Sequence, residues 1–150
     1  MSSQVPLFVR RLTATAQIPF YASSGAACFD LRADRIVSRH STSVIVATGL
    51  AFGIPDGYVM KVHSRSGQGF NHDVRLSNCT GVIDSDYIGE VMVKLVADSI
   101  EGIAYLESLA VGDRIAQAEI TLKWKANFIE VAGLNETERG SNGFGSTGNK

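Results

Sequence analysis

A chain of 150 residues, 45% of them hydrophobic, is one domain's worth of sequence with enough apolar content for a core. Its formal net charge of −1 argues against a broad nucleic-acid or membrane surface, so any anion site must be local. Fifteen glycines, β-branched runs and few helical periodicities favour an all-β domain.

Residues 5–12 predict a first strand, closed by the polar run 13–17. Residues 21–33 pass from loop to strand. Residues 42–54, rich in Val, Ile and small side chains, predict one or two buried strands. Pro55-Asp56-Gly57 is a turn signal. An alternating strand follows over 58–63, with Tyr58, Met60 and Val62 on one face. His63-Ser64-Arg65-Ser66-Gly67-Gln68-Gly69 reads as a polar turn, and Val91, Val93 and Leu95 form the next alternating set. Residues 100–109 are compatible with a short helical turn, although Gly102 and a weak period leave this open. Gly112-Asp113 is another turn, and 114–120 and 124–131 predict the last strands. No apolar run approaches the ~18–20 residues of a membrane span, and the N-terminus lacks a signal-peptide core. Cys28 and Cys79 lack metal-ligand spacing and predict a reduced pair in a cytoplasmic protein. Short, closely spaced strands with turns between them predict a sandwich, jelly roll or barrel.

Two stretches carry the chemistry. Thr80-Gly81-Val82-Ile83-Asp84-Ser85-Asp86-Tyr87-Ile88-Gly89-Glu90 predicts a β-hairpin with an elaborated tip, fed by strand residues from Val74 and leaving towards Val96. Such a tip offers backbone N–H and C=O groups that can read the edge of a planar ligand, with a carboxylate placed to act on water. The plainer reading makes Asp84 and Asp86 turn-formers. After Gly133 polar residues and glycine dominate, dividing the chain into a 1–133 core and a flexible 134–150 arm. Within the arm, Arg139-Gly140-Ser141-Asn142-Gly143-Phe144-Gly145-Ser146-Thr147-Gly148 sets glycines and hydroxyls around one ring behind an arginine. That chemistry suits closing over phosphates, but it lacks the Gly-Lys-Ser/Thr ending of a P-loop; the alternative is a frayed tail.

Ala26-Ala27-Cys28-Phe29-Asp30-Leu31, Arg65-Ser66-Gly67, the 81–89 stretch, Gly112-Asp113-Arg114-Ile115-Ala116-Gln117 and the 139–148 arm, in that order, resemble the trimeric dUTP pyrophosphatase (dUTPase) family. The resemblance implies an all-β, distorted jelly-roll or barrel-like domain, assembled as a homotrimer with active sites between subunits and arms exchanged between them. It implies Mg²⁺-dependent hydrolysis of dUTP to dUMP and pyrophosphate, which limits uracil incorporation into DNA and supplies dUMP for dTMP synthesis.

Residue by residue, Asp84 matches the carboxylate that deprotonates the attacking water. Tyr87 matches the aromatic that packs on deoxyribose, and Gly81, Ile83 and Asn78 match the uracil-reading surface. Arg65, Ser66, Gly67 and Gln117 match phosphate contacts. Arg139 matches the arm's γ-phosphate ligand, Phe144 the ring stacked over uracil, and Gly145, Ser146 and Thr147 further phosphate contacts. Asp30 matches the carboxylate that helps place Mg²⁺ through a bound water. Asp86 and Arg114 are expected to form an ion pair bracing the hairpin, and Trp124 to be a core or subunit-contact residue. His40, His63 and His72 are assigned to surface or strand ends. Cys28 stands where the family usually has glycine, Ser64 where proline is usual and Gln68 where leucine is common. The 98–112 segment is longer than in compact members and reads as a surface loop or a contact site for another protein. A dCTP deaminase of the same fold is the competing chemistry, and it would need a glutamate against the pyrimidine.

Overall fold

The computed structural model describes residues 4–143. Nine strands and two helices are present among them: β1 (Phe8–Arg11), β2 (Phe29–Arg32), β3 (Arg35–His40), β4 (Ser43–Gly53), β5 (Tyr58–His63), α1 (Ser66–His72), β6 (Val74–Leu76), β7 (Thr80–Ile83), β8 (Glu90–Ala97), α2 (Ile100–Ser108) and β9 (Arg114–Leu122). The strands form two antiparallel sheets. In the first, β4 is flanked on one side by β8 and then β6, while both β1 and β3 also pair with β4. The second runs β2-β9-β5-β7, leaving β7 as an edge.

The alternation read from the sequence sets the inner faces. Val91, Val93 and Leu95 of β8 are buried, whereas Met92 and Lys94 between them are exposed. They join Val46 of the same sheet and Leu31, Met60 and Ile115 of the other in a single core. Within β4 the register breaks between Ala47 and Ala51. At that break Gly49 has φ +67, and a Cβ on it would lie 2.8 Å from Asp34 Cγ and 2.7 Å from Ala16 Cβ. Asp34 is itself buried, and its Oδ1 accepts from the Thr13 and Thr15 hydroxyls at 2.8 and 2.7 Å. A buried carboxylate needs such donors, and only glycine leaves them room.

Three expectations are corrected and one open question is answered. The 80–96 stretch is not a hairpin: β7 pairs with β5, whereas β8 pairs with β4 and β6, so residues 84–89 arch from one sheet to the other. The predicted polar turn after His63 is α1, stopped by Asp73 in the left-handed region at φ 50. Its anchor is Gln68, which is 1% exposed and donates through Nε2 to the Tyr105 hydroxyl and the Arg114 carbonyl. Residues 124–131 form no strand, and Trp124 is 89% exposed, so it is no core residue. The open question over 100–109 resolves as α2, whose N-cap Ser99 accepts from Gly102 N.

Candidate active site

Register places the polar residues of the second sheet in a row. Asp30 of β2 lies opposite Gln117 of β9, Gln117 opposite His63 of β5, and His63 opposite Thr80 of β7. Past His63 the chain leaves the sheet, and the Ser64 carbonyl accepts from Gln117 Nε2 at 3.1 Å. Here a cavity of about 360 Å³ is lined by Ser64, Arg65, Ser66, Gly69, Phe70 and Gln117. Gly67 is exposed on α1, and a Cβ there would meet nothing within 4 Å, so the backbone beside the cavity is open to approach.

The edge strand builds a second region. A cavity of about 240 Å³ takes in Asn78, Gly81 and Ile83, and one of about 260 Å³ takes in Ile83, Asp84, Tyr87 and Glu90. The two share Val82, Ile83, Val91 and Met92, so the edge of β7 and the Asp84 carboxylate face contiguous space. Because β7 has a neighbour on one side only, half of its N–H and C=O groups are unclaimed by the ladder. Asp84 is exposed, and its carbonyl accepts from Tyr87 N at 3.1 Å, which turns the arch. The Tyr87 hydroxyl donates to the Glu90 carbonyl at 2.9 Å.

With this geometry in place, the dUTPase family model matches residues 14–148. The chain belongs to the dUTPase family. A deoxyuridine 5'-triphosphate nucleotidohydrolase of Nautilia profundicola is 41% identical over 143 residues, covering 95% of this chain and 98% of that relative. One from Zymomonas mobilis is 40% identical over 148 residues, covering 97% of this chain and 99% of its own. Among solved structures, a dUTPase of Staphylococcus bacteriophage 80alpha with dUpNHpp superposes with a TM-score of 0.81 at 24% identity, covering 97% of this chain and 99% of that one.

The site residues expected from the sequence thus fall into two groups in one chain. Arg65, Ser66 and Gln117 line one cavity; Asn78, Gly81, Ile83, Asp84 and Tyr87 line the other two, and the groups share no lining residue. Arg139 sits in an exposed turn and lines none of these three cavities. Phe144, Gly145, Ser146 and Thr147 lie outside the described residues.

Arg114 does not brace Asp86. It sits opposite Arg32, beside Asp30, at the far side of the sheet from β7. Its Nη1 donates to Asp30 Oδ2 at 3.1 Å, while Arg65 Nε donates to Oδ1 at 3.1 Å. The arch is braced at Ser85 instead, whose hydroxyl accepts from Lys123 Nζ at 2.8 Å. Lys123 and Glu90 escaped the sequence reading. Glu90 carries a signal in retrospect, a charged residue directly before the buried set 91–95. Its Oε1 accepts from Arg35 Nη1 at 2.7 Å and from Gly49 N at 2.9 Å, and Arg35 Nη2 bonds Oε2, a bidentate clamp. The Arg35 hydrogen bonds hold the Glu90 carboxyl below the usual range. Burial, then Glu119 and Asp30, push the Cys28 thiol up, keeping it protonated near Asp30. His63, assigned to a strand end, ends β5 and meets Glu119 Oε1 at 3.2 Å.

Among the described residues no three His, Cys, Asp or Glu side chains gather to hold a metal. Asp30 spends one acceptor position of each oxygen on an arginine, and a carboxylate has about four such positions in all. It therefore fits a metal held through water and substrate phosphates, not a protein cage.

Proposed function

We propose that the chain hydrolyses dUTP to dUMP and pyrophosphate by in-line attack of water on the α-phosphorus, limiting uracil incorporation into DNA and supplying dUMP for dTMP synthesis. The observation that carries this reading is the contiguous space running from the unpaired edge of β7 to Asp84, in a member of the dUTPase family. Uracil offers an acceptor at O4 and a donor at N3, and cytosine reverses both. Main-chain groups at Gly81 and Ile83, with the Asn78 amide, would be left unpaired by cytosine, which supports discrimination of roughly 10⁴-fold. The deoxyribose lies against Tyr87. Asp84 takes a proton from water as the new O–P bond forms, and the bond from the α-phosphorus to the bridging oxygen breaks to release pyrophosphate.

Arg65, Ser66, Gly67 and Gln117 bind phosphate oxygens. Their separation from the Asp84 cavity within one chain supports assembly of each site from different subunits of a homotrimer. So does the run of exposed Trp124, Phe128, Ile129 and Leu134, apolar surface of the kind a partner covers. Arg139, Phe144, Gly145, Ser146 and Thr147, on an arm beginning at about residue 134, complete the site from another copy. Asp30 holds Mg²⁺ through water, and the ion supplies charge neutralisation and a fixed triphosphate conformation. Cytoplasmic placement belongs to the same reading and is supported by the two free cysteines; no helix of the described residues is long and apolar enough to cross a membrane. The deaminase alternative needs a glutamate free to act on the pyrimidine, whereas Glu90, which lines the cavity beside Asp84, has its carboxylate engaged by Arg35 and Gly49 N.

Pyrophosphate release from dUTP, dTTP, dCTP and UTP, with and without Mg²⁺, tests the reading; dUTP should be strongly preferred, and ammonia from dCTP would overturn it. Asp84→Asn should still bind dUTP yet turn it over at least ~10²-fold more slowly. Near-normal turnover would remove Asp84 from its role.

A further inference from the structure

Excluding a 2′-hydroxyl by contact requires a wall that does not yield. An apolar surface alone discriminates against an added hydroxyl only about 10²-fold, and a ring free to swing aside would discriminate less. What immobilises Tyr87 therefore matters as much as Tyr87 itself, and the structure identifies it. The ring lies back over the arch, so close to Gly89 that a Cβ there would sit 2.7 Å from Tyr87 Oη, 2.8 Å from Cζ and 3.1 Å from Cε2. The hydroxyl is tied to the Glu90 carbonyl. Glu90 in turn is pinned by Arg35 and Gly49 N, at the first residue of β8. Gly89 is not in the left-handed region, so the missing side chain is needed for the ring and not for the backbone.

Resting on the reading of Tyr87 as the sugar wall, we infer that Gly89 is a specificity-determining position and that the Arg35–Glu90 pair is its positioning support. Together they hold the Tyr87 ring in the place that refuses ribonucleotides. Among the described residues of one chain, the rest of that cavity's lining is Val82, Ile83, Asp84, Val91 and Met92.

The test is the ratio of kcat/KM for dUTP to that for UTP. In Gly89→Ala the displaced ring should lower the ratio by about tenfold, mainly through slower dUTP turnover and a gain on UTP. In a Tyr87→Ala background Gly89→Ala has nothing to displace and should change the ratio no further, the non-additivity expected of a contacting pair. Tyr87→Phe, which removes only the bond to the Glu90 carbonyl, should lower the ratio by a smaller factor and decides the matter if Gly89→Ala folds poorly. An unchanged ratio in Gly89→Ala, or in Tyr87→Phe where it has to decide, overturns the inference while leaving dUTP hydrolysis intact, as does an equal further loss in the Tyr87→Ala background. Failure of the unmodified chain to hydrolyse dUTP overturns the functional reading and this inference with it.

Discussion

Glu90 is the residue on which two parts of the molecule meet. Its carboxylate is clamped to Arg35 of β3 and capped by Gly49 N at the β4 break, while its carbonyl receives Tyr87. The folded carboxyl is held below the ordinary glutamate value of about 4.3, chiefly by the Arg35 hydrogen bonds. The stabilisation is therefore present above the unfolded pKa and is lost as pH falls through the lower folded value. Thermal unfolding should show this in Glu90→Gln: a lower melting temperature at pH 7 that converges on that of the unmodified chain as pH falls below the ordinary carboxylate range. Curves that stay parallel across that range would mean the clamp contributes nothing. The local sign at Glu90, a charge directly before the buried set 91–95, does not name its partners, which come from residues 35 and 49, remote in sequence. That Asp84 and Tyr87 line one cavity was legible for the opposite reason: they sit three residues apart in one short stretch.

Among the elements, α2 fills most of the 98–112 segment and packs on α1. A Cβ at Gly102 would lie 2.5 Å from the His72 carbonyl, at the end of α1, and the Tyr105 ring stacks on His72 with centroids 4.1 Å apart. Tyr105 also takes a hydrogen bond from Gln68. The segment is thus a buttress for the helix carrying Ser66 and Gly67. Gly102→Ala must push a backbone carbonyl aside and should cost about 1–3 kcal/mol by chemical denaturation, with KM for dUTP raised. Full stability and an unaltered KM would sever α2 from the site. Gly102, which weakened the helical pattern in the sequence, is there because the helices touch. The same blindness hid α1: Gly67 and Gly69 argue for a turn, and the fact that Gln68 buries its amide against Tyr105 and Arg114 is known only from the folded chain. The β strands with plain alternation, β5 and β8, were legible because one face of each is core.

For the whole molecule, the Arg65–Gln117 cavity and the Asp84 cavities share no lining residue, and the proposed trimer would join them across subunits. Chains carrying Asp84→Asn, mixed with chains ending at Glu138, should recover part of the activity that neither has alone, if arms and carboxylates come from different subunits. No recovery, with subunit exchange verified, would leave each arm serving its own chain. Composition revealed an all-β domain; it could not reveal that the strand after Ile83 changes sheets, nor that Trp124 faces outward. Those outcomes depend on which surfaces meet.

The free margin of β7 has a further consequence. Its donors and acceptors belong to peptide units, so exchanging one side chain for another at Thr80, Val82 or Ile83 leaves them where they are, whereas proline deletes a donor and a Cβ at Gly81 would press on Val62 at 3.2 Å. Base recognition of the proposed kind would be shielded from drift by point mutation at those positions. Anyone wishing to retrain it on another pyrimidine would have to slide or bend the strand itself.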